Sequence, residues 1–225
     1  MEARPHPSPN FGERKGGLTP ELVVLHYTGM ASAAEAVALL CDPASEVSAH
    51  YVIDEVGGVL QLVPEEARAW HAGAGAWRGL GDVNSRSIGI ELVNTARHPF
   101  PEPQMRALEA LLNGIFARWG MGPEGVIAHS DMAPARKVDP GVRFDWRRLA
   151  LAGLSVWPEA AAGDVARFVT DARAFGYPDV APELILQAVR LRFRPWASGP
   201  LTAEDAAIVA DLARRFQIDR AGAKA

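Results

Sequence analysis

Cysteine is almost absent: Cys41 stands alone in 225 residues. An intrachain disulfide framework and a Cys-rich zinc finger are therefore excluded. Long apolar runs are missing too, and none approaches the roughly 18 residues that a membrane-spanning helix needs. Basic charge is not in excess. The formal net charge is −4, the wrong sign for nucleic-acid binding that rests on phosphate contacts. Lysine is scarce, and Lys137 is the only one between Lys15 and Lys224. The opening MEARPHPSPNFGERKGG has no apolar core, whereas a secretory leader carries about 7–15 apolar residues after a basic start. The expectation is a cytoplasmic chain, with a periplasmic one as the alternative, and no nucleic-acid or membrane partner.

The rest is ordinary globular material, 48% apolar and 22% charged. Its length permits one large domain, or a medium one and a small one. Residues 1–20 read as a coil leading into the first strand. Leu22-Val23-Val24-Leu25-His26-Tyr27 is a short apolar run, as in a strand covered on both faces. Ser32 to Leu40 reads as a helix, with Ser32 and Glu35 spaced as a capping box. Ser48–Asp54 and Val59–Val63 flank Gly57-Gly58 and predict a hairpin. Ser87–Val93 and Val126–Ala128 are further strands. Met105, Leu108, Leu112, Ile115, Phe116 and Trp119 recur at helical spacing, so Glu102–Trp119 is an amphipathic helix stopped by Gly120. Phe144–Ala152 closes this part as a helix.

Strands interleaved with helices and one hairpin predict an α/β fold with a mixed central sheet flanked by helices. Past Gly153 no convincing strand remains. Ala160–Phe175, Pro182–Phe193 and Thr202–Phe216 each carry an apolar face, the last opening on a Thr202–Asp205 capping box. A small all-α three-helix domain over 154–225 is expected after a domain over 1–153. Charge changes at the same place: 14 basic and 18 acidic groups before residue 151, 9 of each after it. Arg190, Arg192 and Arg194 read as a solvated basic face on the second of these helices.

With one cysteine, a metal site must draw on His and carboxylates, and a catalytic zinc site uses three of them with a fourth position open. Of six histidines, His26 ends a buried strand, where α/β sheets place their ligands. His129 follows another short strand. Asp139 precedes Pro140-Gly141, is biased to an extended or turn conformation, and could fold back toward His129. Together the three would make a His-His-carboxylate set with water as fourth ligand; singly, each also suits an ordinary polar strand end or turn. Glu91, among apolar strand residues, is either a solvent-facing residue or a general base with its pKa raised by apolar surroundings. Lys137 is either an oxyanion stabiliser or a loop charge. Tyr27, Trp70, Trp77 and Trp146 could wall a cleft or pack in the core. Arg86 could grip a substrate carboxylate, although its odd offset from Glu91 sets it on the other strand face.

Six segments occur in order: His26-Tyr27-Thr28, Ser48-Ala49-His50-Tyr51, Ala69-Trp70-His71-Ala72-Gly73, Asn84 with Ser87-Ile88-Gly89-Ile90-Glu91, His129-Ser130-Asp131, and Arg136-Lys137-Val138-Asp139-Pro140-Gly141. Together they resemble the type-2 N-acetylmuramoyl-L-alanine amidases, over about residues 8 to 150. That family shares its fold with phage lysozyme-type amidases and animal peptidoglycan recognition proteins. The resemblance implies Zn2+ held by His26, His129 and Asp139, with Glu91 as base and Lys137 stabilising the tetrahedral intermediate. It implies a muropeptide or peptidoglycan substrate, cut between N-acetylmuramic acid and L-alanine, with Trp70 and His71 in the cleft. Tyr27, His50, Asn84 and Arg86 complete the expected substrate-binding set, His50 either lining the cleft or supporting the sheet. Gln187–Pro195 and the helix after it are similar to the peptidoglycan-binding domain appended to some of these amidases. In the branch dedicated to cytoplasmic anhydromuropeptides, Asn usually follows the first zinc histidine. Tyr27 here resembles the broader, often membrane-anchored branch, so two readings stand: recycling of soluble fragments, or an exported enzyme on intact wall. A non-catalytic receptor on the same fold is a third; such receptors usually lose a metal ligand.

Overall fold

The computed structural model describes residues 3–159 and 163–216. Strands within them are β1 (Arg4–Pro5), β2 (Phe11–Gly12), β3 (Leu22–Tyr27), β4 (Tyr51–Ile53), β5 (Val59–Gln61), β6 (Arg68–Ala69), β7 (Ser87–Leu92) and β8 (Val126–Ala128). The α-helices are α1 (Ala33–Leu40), α2 (Val83–Arg86), α3 (Glu102–Trp119), α4 (His129–Met132), α5 (Trp146–Leu151), α6 (Phe168–Phe175), α7 (Pro182–Phe193) and α8 (Ala203–Arg215). Six strands form a mixed sheet in the order β1-β5-β4-β7-β3-β8, and β2 pairs with β6 apart from it. The hairpin is the antiparallel β4–β5 pair, while β3, β4, β7 and β8 run parallel. No helix among the described residues is long and apolar enough to cross a membrane.

Side-chain alternation assigns each strand residue to a face. Val23, Leu25, Ile88, Ile90, Tyr51 and Ile53 point into a core shared with α3 and α5. Leu22, Val24 and Ile127 point the other way, into a core shared with α6, α7 and α8. His26 and Glu91 continue that second face and are direct partners in the β3–β7 register. On the far side of Glu91 its register partner Val52 belongs to a third apolar cluster with Val37 and Leu40 of α1. The polar site therefore lies at the carboxyl ends of the parallel strands, where the sheet face changes from one apolar cover to another.

The caps explain several boundaries. Ser32 Oγ accepts from Glu35 N and Thr202 Oγ1 from Asp205 N, so α1 and α8 start where the sequence puts them. Gly120 ends α3 with φ 65°. One expectation is corrected. The N-terminal segment is not all coil, since Arg4–Pro5 pairs with Leu60–Gln61 as an edge strand. The C-terminal helices share a core with the sheet region. Phe168, Phe175, Ile185, Val189 and Leu212 pack in one cluster with Leu22, Val24, Trp77 and Met132 of the sheet region. The first of these helices is shorter than expected, a 3-10 turn at Val165–Arg167 leading into α6. Of its expected start, residues 160–162 lie outside the described residues, as do Met1, Glu2 and 217–225.

Candidate active site

Three strand ends build the site. β3 delivers His26, β8 runs directly into α4 and so presents His129, and the loop after α4 returns with Asp139. That loop folds back because Ser130 N donates to Asp139 O over 3.1 Å. The side chains converge: His26 Nδ1 lies 2.9 Å from His129 Nδ1, and each is 3.0 Å from Asp139 Oδ2. All three residues are buried, at 2%, 3% and 8% exposure. They form the group that could hold a metal ion among the described residues.

The hydrogen-bond polarity of the surrounding shell decides what these atoms are. Ser87 Oγ donates to Val83 O at 2.6 Å, so it can only accept from His71 Nε2, 3.2 Å away. His71 is then the Nε2–H tautomer, its Nδ1 an acceptor, and His26 Nε2 donates to it over 3.0 Å. His129 Nε2 faces Ala72 O at 2.9 Å and must donate as well. In the neutral form of both rings, each Nδ1 is left as a bare lone pair. Burial pushes the His26 pKa down to about 4, with His129 adding to the effect, so the ring is neutral at pH 7. Two lone pairs and a carboxylate oxygen thus meet with no proton between them. Such a set is repulsive unless a cation sits among them, and the residues fit a bound metal in both donor type and tautomer.

The loop carrying His71 and Ala72 is itself pinned. Asn84 Oδ1 accepts from His71 N (3.1 Å) and Ala72 N (2.8 Å). Arg136 donates to Ala74 O at 2.7 Å and also to Ala72 O. Gly89 is needed behind it, because a Cβ there would overlap the His71 ring. Burial, reinforced by the neighbouring His26 and His50, keeps His71 well below its usual pKa.

A cavity of about 390 Å³ opens over the cluster, lined among others by Tyr27, Trp70, His71, Glu91, Arg136 and Lys137. Glu91 Oε2 is buried with no hydrogen-bond partner among the described residues. Burial raises its pKa to about 8, the Asp139 charge adds to this, and Lys137 partly offsets it. The same wall therefore holds a carboxyl poised near neutrality and a cation.

Not every expected site residue reaches the cavity. Arg86, the last residue of α2, is buried, paired with Glu21 and donating to Trp77 O and Leu80 O. Arg86 does not line the cavity. His50 supports the sheet, accepting from Gly89 N at Nδ1 and contacting Ala67 O at Nε2. Asn84 accepts from the loop amides and does not line the cavity. Trp77 and Trp146 are buried core residues. The arginines after α6 are not a solvated face either: Arg192 pairs with Asp131, and Arg190 and Arg194 with Asp205. Ser87, Gly89 and Arg136 were missed as shell residues. Gly89 alone left a signal, since a glycine inside a strand marks a close approach.

Converging acceptors, an unpartnered carboxyl and a nearby lysine in one cleft define a metal-assisted hydrolase site. Comparison makes the class specific: residues 16–142 match N-acetylmuramoyl-L-alanine amidase, and the chain belongs to that family. It is 36% identical to the N-acetylmuramoyl-L-alanine amidase AmiD of Escherichia coli K12, over 88% of this chain and 84% of that one. The solved complex of that AmiD with anhydro-N-acetylmuramic acid-L-Ala-D-γ-Glu-L-Lys superposes with TM-score 0.80, covering 93% of this chain and 99% of that one at 34% identity. The 1,6-anhydro-N-acetylmuramyl-L-alanine amidase AmpD of Citrobacter freundii is 33% identical, over 65% of this chain and 88% of its own length. The chain is accordingly an amidase of muramyl-L-alanine bonds, and its family is metal-dependent.

Proposed function

We propose that this amidase is a zinc enzyme that releases stem peptides from soluble anhydromuropeptides. His26 and His129, through Nδ1, and Asp139, through Oδ2, are the metal ligands. Zinc supplies Lewis acidity, polarising a carbonyl oxygen and making water a better acid. Glu91 Oε2 takes the proton from the attacking water and returns it to the leaving L-alanine nitrogen. A carboxyl with a pKa near 8 suits both directions of transfer at neutral pH. The Lys137 ammonium faces the negative charge that develops on the lactyl carbonyl oxygen. Tyr27 and Trp70, both half-buried in the cavity wall, offer faces to the sugar and stem peptide.

The observation carrying this reading is the meeting of three acceptors with no donor beside an unpartnered carboxyl. The AmiD complex supports the anhydro substrate, since it holds an anhydromuramyl peptide on a chain of the same fold. The test is turnover of anhydromuropeptides against intact sacculi, with and without chelator, read by chromatography of the released peptide. Turnover of the soluble fragments, lost on chelation and restored by zinc, is the expected result. Full activity after chelation overturns the metal, and activity confined to sacculi overturns the soluble substrate.

A further inference from the structure

The most deeply buried charge pair among the described residues lies two residues along the chain from His129 and belongs half to the C-terminal helices. Asp131 of α4 and Arg192 of α7 are both fully buried, 61 residues apart in sequence, with Arg192 Nη1 2.5 Å from Asp131 Oδ2. The same Oδ2 accepts from Ala128 N over 2.9 Å, closing the junction of β8 and α4 at which His129 sits. Tyr177, after α6, donates from its hydroxyl to Asp131 Oδ1 at 2.9 Å. The other arm of Arg192 donates to Val126 O (2.9 Å) and to Ser155 Oγ (3.2 Å). Its guanidinium lies 4.3 Å over the Trp146 ring. One planar fork therefore grips the chain on both sides of His129.

A four-residue helix has little stability of its own, because nucleation is costly. α4 must take its geometry from its neighbours. Beyond Asp131 the constraint passes to the third acceptor, because Ser130 N donates to Asp139 O. A buried ion pair is poor evidence for stability, since apolar residues of similar volume often do as well or better. What apolar residues would not supply is a fixed junction between β8 and α4.

We propose that Arg192 and Tyr177, both from the helical C-terminal third, are positioning residues for His129 and Asp139, acting through the Asp131 carboxylate. The C-terminal third is then part of the metal site and not a detachable module. This rests on the metal site proposed above.

The experiment measures zinc affinity of the chelator-stripped full chain by competition with a fluorescent chelator, alongside circular dichroism of each protein. Arg192→Lys keeps the charge but loses the fork, and should weaken zinc binding about 10- to 100-fold, the range seen when outer-shell partners of ligands are lost. Tyr177→Phe removes one hydroxyl and should weaken it severalfold. Thr202→Ala removes the α8 cap without touching Asp131; it should lower thermal stability and leave zinc affinity within twofold of the parent. Affinities of Arg192→Lys and Tyr177→Phe within twofold of the parent would overturn the proposal. So would an equal loss in Thr202→Ala, which would mark a general effect of destabilising the helices. If Arg192→Lys does not fold, Tyr177→Phe decides. A parent chain that takes up no zinc would overturn the metal site itself and this proposal with it.

Discussion

His50 makes the chain acid-sensitive in a way that can be calculated. The ring is fully buried. Its Nδ1 accepts from Gly89 N at 2.9 Å, so protonation there would break a hydrogen bond to β7. Burial lowers the pKa to about 3, and the Arg14 guanidinium, 3.2 Å from Nε2, pushes the same way. In the unfolded chain the value returns to about 6.5. Between those limits the unfolded state binds the extra proton, so stability is fully present above pH 6.5 and falls as pH drops toward 3. At pH 5 this one group should cost about 2 kcal/mol, and at pH 4 about 3 kcal/mol. The assay is urea unfolding of the metal-free protein from pH 7 to pH 5, for the parent and for His50→Gln. The buried His26 and His71 add to the slope of both proteins and cancel in the difference. The parent should lose about 2 kcal/mol more than the variant over that span. Parallel slopes would refute the claim that His50 is held neutral.

Glu91→Gln should lower turnover by a factor of about 100 or more while zinc still binds, because it removes a proton carrier and not a ligand; single-turnover hydrolysis with parallel zinc analysis checks both halves. Gly89→Ala should push the His71 ring off His26 Nε2 and weaken zinc binding at least about tenfold, read by chelator competition. Asn84→Ala should act in the same direction by freeing the loop at His71 and Ala72, whose two amides lose their acceptor. Asp205, whose carboxylate is held to a pKa of about 2 by Arg190, Arg194 and Thr202 despite the opposing effect of burial, contributes stability that is present above pH 4 and is lost as pH falls through 2. Asp205→Asn should lower the melting temperature at pH 7 by several degrees and lessen the loss between pH 4 and pH 2, seen in calorimetric scans.

Local signals were legible where one residue decides them. Ser32, Thr202 and Gly120 set helix ends through their own side chains or backbone. The apolar runs at Leu22–Tyr27 and Ser87–Val93 were legible as strands, whereas the register that sets His26 beside Glu91 on one face came only with the fold. Functions that depend on distant partners were not legible. Arg192 looks like one of three arginines on a helix face, and only the fold brings it to Asp131. His50 and Asn84 sit in motif segments beside cleft residues, but one takes the Gly89 amide of β7 and the other the amides of a loop. Arg86 has the chemistry to bind a carboxylate, and its partner is Glu21, 65 residues earlier. The helices after residue 153 show amphipathic faces, and a face does not say what it packs against; here it is the sheet.

The central claim is that His26, His129 and Asp139 meet as three acceptors around one zinc ion that amide hydrolysis requires. Titrating stripped protein with zinc, while following release of the stem peptide from an anhydromuropeptide, tests it most directly. The rate should rise in proportion to zinc and level off at one equivalent, with Asp139→Asn showing neither tight binding nor turnover. Turnover in the stripped protein, or an Asp139→Asn variant that binds and works like the parent, would contradict it.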